Sequence, residues 1–174
     1  MIVESALVVP VPEAEPVVGD LRARYDPAPP AGLPAHITVV YPFLDPAFLN
    51  ESILADLAAI FAGVTSFRFA LGAIARFPDV VYLVPNPTGS FIRMTAAVAT
   101  RWPEAPPYGG RYEEVVPHLT VAHTSDETAV EEITKSIVSH LPIDCTARQI
   151  WLLTRQEDRW STRHRFELGD HPAG

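Results

Sequence analysis

The strongest constraint on this chain is a short pattern that it uses twice, His36-Ile37-Thr38-Val39 and His118-Leu119-Thr120-Val121. A proline stands just ahead of each copy, Pro34 and Pro117. Side chains on a strand alternate between its faces, so His36 and Thr38 point one way while Ile37 and Val39 point the other. His118 and Thr120 repeat that arrangement. Each copy therefore describes a strand that buries one apolar face and presents an imidazole with a hydroxyl on the other. Two such imidazoles facing each other make a proton donor and acceptor that work near neutral pH.

The flanking sequence repeats as well. Residues 2–9 read as a strand, and 13–25 as a helix with Val17, Val18, Leu21 and Tyr25 at helical spacing. Prolines crowd the loop 27–34 and forbid a helix there. After the first His-x-Thr strand, Asp45-Pro46 opens a helix carrying Phe48, Ile53, Leu54, Leu57, Ile60 and Phe61. Strands are expected over 66–76 and 80–84, with Phe67, Phe69 and Leu71 on one face and Phe77-Pro78-Asp79 as the turn. A helix over 90–102, capped by Ser90 or Thr88, leads into a second Pro- and Gly-rich loop, 103–117. The second His-x-Thr strand follows, then a helix from Ser125 or Asp126 to about residue 139. A hairpin over 142–154 and 159–168 closes the chain.

Each half thus runs helix, proline-rich loop, His-x-Thr strand, helix, two strands. The two copies lie about half the chain apart, too far and too few for a solenoid. The expected fold is α+β and bilobal: two mostly antiparallel sheets related by a pseudo-twofold axis about a central groove, with helices on the outer faces. One domain, 1–174, is expected, with approximate halves 1–86 and 87–168 that share strands, and a frayed tail at 169–174.

The net charge is −8, from 13 basic and 21 acidic residues. Proteins that grip long nucleic acid carry an excess of Lys and Arg to neutralise phosphates, so a small nucleotide or a locally recognised RNA end is the expected partner. The single cysteine, Cys145, cannot form an internal disulfide, and no Cys/His cluster has zinc spacing, which suits a reducing cytoplasm. No metal or cofactor is expected, and a monomer is. The apolar N-terminal run is broken by Glu4 and lacks a basic start, so it reads as a first strand and not a signal peptide. Nothing approaches the ~20 apolar residues of a membrane helix.

If the two strands face each other, a neutral imidazole can take a proton from water while a protonated one gives a proton to a leaving oxygen. The threonine hydroxyls can donate hydrogen bonds to an anion between them, which suits transfer or hydrolysis at phosphorus. Other candidates are weaker. On an uninterrupted strand His123 faces away from this site, and parity puts Tyr41 behind it unless Pro42 twists it round. His140 ends a helix, His164 lies in the final hairpin and His171 in the tail. Ser90 and Ser161 lack a nucleophile-elbow context, and nothing activates Cys145. Glu131-Glu132 and Glu113-Glu114 read as solvated, though the latter could reach the groove. Arg155, Arg159 and Trp160 could supply phosphate contact and base stacking, but exposed turn residues are the commoner outcome.

The paired motifs His36-Ile37-Thr38 and His118-Leu119-Thr120 resemble the signature of the 2H phosphoesterase superfamily. His36 to Phe43 is similar to its bacterial 2′-5′ RNA ligase-like branch, and Pro117 to Ala122 is similar to the second motif of that branch. The resemblance implies metal-independent chemistry on 2′,3′-cyclic phosphates or 2′-5′ phosphodiester linkages. It implies His36 and His118 as general acid and base, and Thr38 and Thr120 as phosphate ligands. A non-catalytic nucleotide-binding module, and a phosphodiesterase for a cyclic phosphate on a non-RNA metabolite, are the alternatives.

Overall fold

In a computed structural model that describes residues 3–29 and 31–170, the chain forms two four-stranded antiparallel sheets flanked by four α-helices. The first half runs β1 (Val3–Pro10), α1 (Glu15–Tyr25), β2 (His36–Val40), α2 (Glu51–Ala62) and β3 (Phe67–Phe77). The second runs β4 (Val80–Asn86), α3 (Gly89–Arg101), β5 (Leu119–His123), α4 (Glu127–Val138), β6 (Ile143–Ala147), β7 (Gln149–Gln156) and β8 (Arg159–Glu167).

One sheet has the order β2-β1-β7-β8 and the other β5-β4-β3-β6. The two orders superpose by exchanging β1 with β4, β2 with β5, β7 with β3 and β8 with β6. β3 of the first half has crossed into the sheet of β4 and β5, and β7 and β8 of the second half into the sheet of β1 and β2. Each sheet therefore draws on both halves of the sequence, and both His-x-Thr strands become edge strands. β2 and β5 lie beside each other where the sheets meet.

Helices cover the back of each sheet. The alternate apolar residues Leu7 and Val9 of β1, and Val81 and Leu83 of β4, are fully buried beneath them. Together with Phe61 of α2, Phe91 and Met94 of α3 and Ile133 of α4 they form one continuous core. The packing is crossed: α1 lies against β5, and α3 against β2. Emptying a site such as Phe61 would cost about 3–5 kcal/mol.

Several boundaries differ from the sequence reading. The helix expected from Asp45 is two elements, because two capping residues compete. The Asp45 carboxylate accepts from Ala47 N at 2.8 Å and starts only a 3₁₀ turn, Pro46–Phe48. The Asn50 side chain then accepts from Ile53 N at 3.0 Å and starts α2. The strand expected over 142–154 divides at Arg148, its first part pairing with β3 and its second with β1. Phe77 belongs to β3, leaving Pro78-Asp79 as the turn. The expected tail does not fray at its first residue, since Gly169 N donates to Val64 O at 2.7 Å and Ser66 N donates to Gly169 O at 2.8 Å. His171 and the rest of that tail lie outside the described residues.

Candidate active site

The two His-x-Thr strands set their imidazoles in the same way. His36 Nδ1–H donates to Pro34 O at 2.8 Å, and His118 Nδ1–H donates to Val116 O at 2.7 Å. A carbonyl oxygen can only accept, so both rings carry their proton on Nδ1 and leave the Nε2 lone pair free. In each case the acceptor lies two residues upstream, in the proline-bearing approach to the strand. The prolines thus hold an extended backbone whose carbonyl fixes a tautomer.

That approach is strapped down before His36. The Glu15 carboxylate of α1 accepts from Ala35 N at 2.6 Å. Arg22 of α1, 2% exposed, donates to Leu33 O at 3.1 Å and pairs with Asp26 at 3.3 Å. Asp26 also accepts from Ala28 N at 2.9 Å. The far side of the same loop is pinned to the β7–β8 hairpin by Trp160 N donating to Ala31 O at 2.6 Å. A side chain at Gly32, whose φ is +97°, would put its Cβ 2.8 Å from the Trp160 carbonyl oxygen. Only glycine fits that crossing.

Both motif strands then bulge, and the bulges decide what else reaches the site. In the β1–β2 ladder Leu7 pairs with Val40 but Val8 with Thr38, so Val39 is an extra residue. In β4–β5, Val81 pairs with Ala122 but Tyr82 with Thr120, so Val121 is extra. Val39 and Val40, and likewise Val121 and Ala122, are buried in succession. Alternation is reset after the extra residue. Tyr41 and His123 therefore return to the face that carries the motif histidine and threonine, contrary to the parity expected of a regular strand. The carbonyl freed at Val39 is not left empty, since Thr95 Oγ1 of α3 donates to it at 2.8 Å.

The two histidines have different walls. His118 stands edge-on to Phe77 and Tyr82, with ring centroids 5.3 and 5.4 Å away, and those two rings stack on each other at 4.4 Å. Phe77 reaches this face because β3 also slips register between Leu71 and Ala73, at Gly72. His36 instead lies within the field of the buried Arg22–Asp26 pair and of His118. Burial is the main influence on both imidazoles and holds each below the ordinary value of 6.5, opposed by the bond to the upstream carbonyl. Like charge adds to it, from Arg22 and His118 at His36 and from His123 at His118.

Thr38 and Thr120 are half-buried on the same faces as their histidines. Tyr41 donates to Glu4 at 3.0 Å and meets Trp160 edge-on at 6.1 Å. Trp160 is thus drawn onto the sheet face beside the first motif. Arg155 is tied to Glu4 and Asp158, both at 3.4 Å. Arg159, Glu113, Glu114, His140 and His164 are exposed. Burial pushes the Cys145 thiol up to about 12, which leaves it a packing residue. Among the described residues, no group of three or more His, Cys, Asp and Glu is arranged to hold a metal ion, and no helix is long and apolar enough to cross a membrane.

The fold is similar to solved structures at low sequence identity. E. coli LigT complexed with 3′-AMP is 17% identical with a TM-score of 0.61, the match covering 95% of this chain and 97% of LigT. TT0787 of Thermus thermophilus is 18% identical with a TM-score of 0.58, covering 97% of this chain and 100% of that one. A structure described as a phosphoesterase is 17% identical with a TM-score of 0.60, covering 95% of this chain and 98% of its own. No curated protein matches the sequence. The profile of the 2′-5′ RNA ligase superfamily matches residues 9–159, a span that includes both His-x-Thr strands, and the chain belongs to that superfamily of 2H phosphoesterases.

Proposed function

We propose that the chain is a phosphodiesterase that opens 2′,3′-cyclic phosphates, or cleaves 2′-5′ linkages, on nucleotides or RNA ends, without a metal. The observation that carries this reading is the matched pair of Nδ1–H bonds, which leaves two Nε2 atoms free on adjoining edge strands. One neutral imidazole takes a proton from water as its oxygen bonds to phosphorus. The other, protonated, gives its proton to the 2′ or 3′ oxygen as that P–O bond breaks. Charge builds on the non-bridging oxygens, and Thr38 and Thr120 donate to them.

Burial disfavours the charged form of both rings, so the substrate anion is what supports the one imidazolium that the reaction needs. A phosphodiester between the rings supplies that charge. The family is one whose E. coli member LigT has been solved with 3′-AMP, ATP and NADP+, which favours a nucleotide or a nucleotide-bearing end as substrate here. With one buried cysteine and no membrane helix among the described residues, a cytoplasmic monomer fits the reading.

A panel of cyclic phosphates, including a cyclic phosphate on a non-RNA metabolite, assayed with a chelator present, tests chemistry and substrate class together. Ring opening of a ribonucleoside 2′,3′-cyclic phosphate that His36→Ala and His118→Ala each abolish is the expected result. Binding of 3′-AMP with no product from any cyclic phosphate or 2′-5′ dinucleotide would instead make the chain a nucleotide-binding module.

A further inference from the structure

The bulge in β5 brings a third histidine to the cleft. His123 is 47% exposed by side chain, and its Nε2 stands 3.7 Å from Asp26 Oδ1. Asp26 is itself 3% exposed by side chain and fixed by Arg22 and by Ala28 N. A buried carboxylate whose Oδ1 is fixed by Ala28 N and faces the exposed imidazole orients that ring. The position is telling because the groups nearest the motif histidines are already paired or held neutral. Arg22 is spent on Asp26 and Glu15, burial holds His36 and His118 toward neutrality, and the chain carries −8 overall.

Three residues separate Thr120 from His123, and the bulge absorbs one of them. The remaining advance is about two strand steps, roughly 7 Å. That is close to the spacing of successive phosphates along an extended ribonucleotide chain. We propose that His123, braced by Asp26, binds the phosphate next to the reacting one, so that the cleft is built for an oligonucleotide end in preference to a mononucleotide. This rests on the phosphodiesterase reading above and adds a specificity residue to it.

The test compares a nucleoside 2′,3′-cyclic phosphate with a dinucleotide ending in a 2′,3′-cyclic phosphate, which differ by one internal phosphodiester. His123→Gln keeps a hydrogen-bonding side chain and removes the charge. It should raise KM for the dinucleotide roughly tenfold, the loss of one hydrogen bond to a phosphate at a half-exposed site, with the mononucleotide KM unaffected. His123→Arg, a permanent cation, should restore dinucleotide KM to within about threefold of the wild type. An equal rise in KM for both substrates, or a fall in kcat without a rise in KM, would overturn the assignment while leaving the phosphodiesterase reading intact. If the wild type turns over neither substrate, calorimetry with the mono- and dinucleotide 3′-phosphates decides. Tighter dinucleotide binding that His123→Gln removes supports the site, and equal wild-type affinities overturn it.

Discussion

His36 and His118 share a backbone arrangement and differ in everything around it. Each follows a proline-bearing segment, donates Nδ1–H to a carbonyl two residues back, and precedes a threonine and a bulge. Yet the first ring sits against a buried ion pair that straps its loop to α1, while the second sits against stacked aromatic rings. In the segment before His118, Tyr112 to Glu114 are exposed. Symmetry of the strands duplicates the imidazole–hydroxyl pair, and asymmetry of the walls divides the surroundings of the two ends of the cleft. A substrate has two unlike ends, so two identical walls would bind it in both directions.

The sharpest way to break this comparison is to remove each ring. His36→Ala and His118→Ala should each reduce kcat on a cyclic phosphate by about a thousandfold, while circular dichroism shows both variants folded. A residual rate near wild type in one of them would mean that the backbone symmetry does not extend to function. Stability should separate the two walls next. Asp26→Asn leaves the buried Arg22 with only the partly exposed Glu15, 3.7 Å away, as countercharge and should cost about 3 kcal/mol in urea unfolding. The double variant Arg22→Met with Asp26→Asn should regain much of that loss, since the uncompensated charge is gone.

Smaller effects fall on the threonines. Thr38→Val and Thr120→Val each remove one donor to a developing anion, and kcat should fall about a hundredfold for each. A loss confined to one of them would locate the phosphate nearer that strand. The smallest effect is on the pH dependence of folding. Burial holds both imidazoles below 6.5 in the folded state, so between those lowered values and 6.5 the unfolded chain binds more protons. Stability from these groups is therefore full above about pH 6.5 and is lost as pH falls through the folded values. Urea midpoints measured from pH 7.5 down to 5 should decline, and His36→Gln and His118→Gln should each flatten part of the slope.

Much of the arrangement was legible in the residues. Two apolar-backed strands, each with His and Thr on the other face, were legible, and the α+β class followed from the order of periodicities. The caps at Asp45 and Asp126 were legible too, because their side chains act within three residues. The strand exchange was not. Nothing local in 142–154 tells β6 to pair with β3 and β7 to pair with β1, since both parts have the same β-branched, apolar character.

The placements of Tyr41 and His123 were missed for one physical reason. Parity counts residues, and a bulge inserts one without altering composition. Val39-Val40 and Val121-Ala122 are adjacent apolar pairs where alternation asks for a polar residue, and that break in pattern was the available signal. Gly72 was the comparable sign in β3. The buried Arg22–Asp26 pair had only its i,i+4 spacing to announce it, which exposed helix faces show equally often.

The sequence by itself determined the paired side chains, because a His-x-Thr step on a strand fixes which of them share a face over two residues. It also determined the tautomer-setting backbone, through the prolines that keep each approach extended. Only the tertiary structure decided that the two strands adjoin, that burial would hold the rings toward neutrality, and that His123 would return to the cleft beside Asp26. Those outcomes depend on ladder register and on contacts between α1 and β5, which are set by packing across the whole domain and not by any local run of residues.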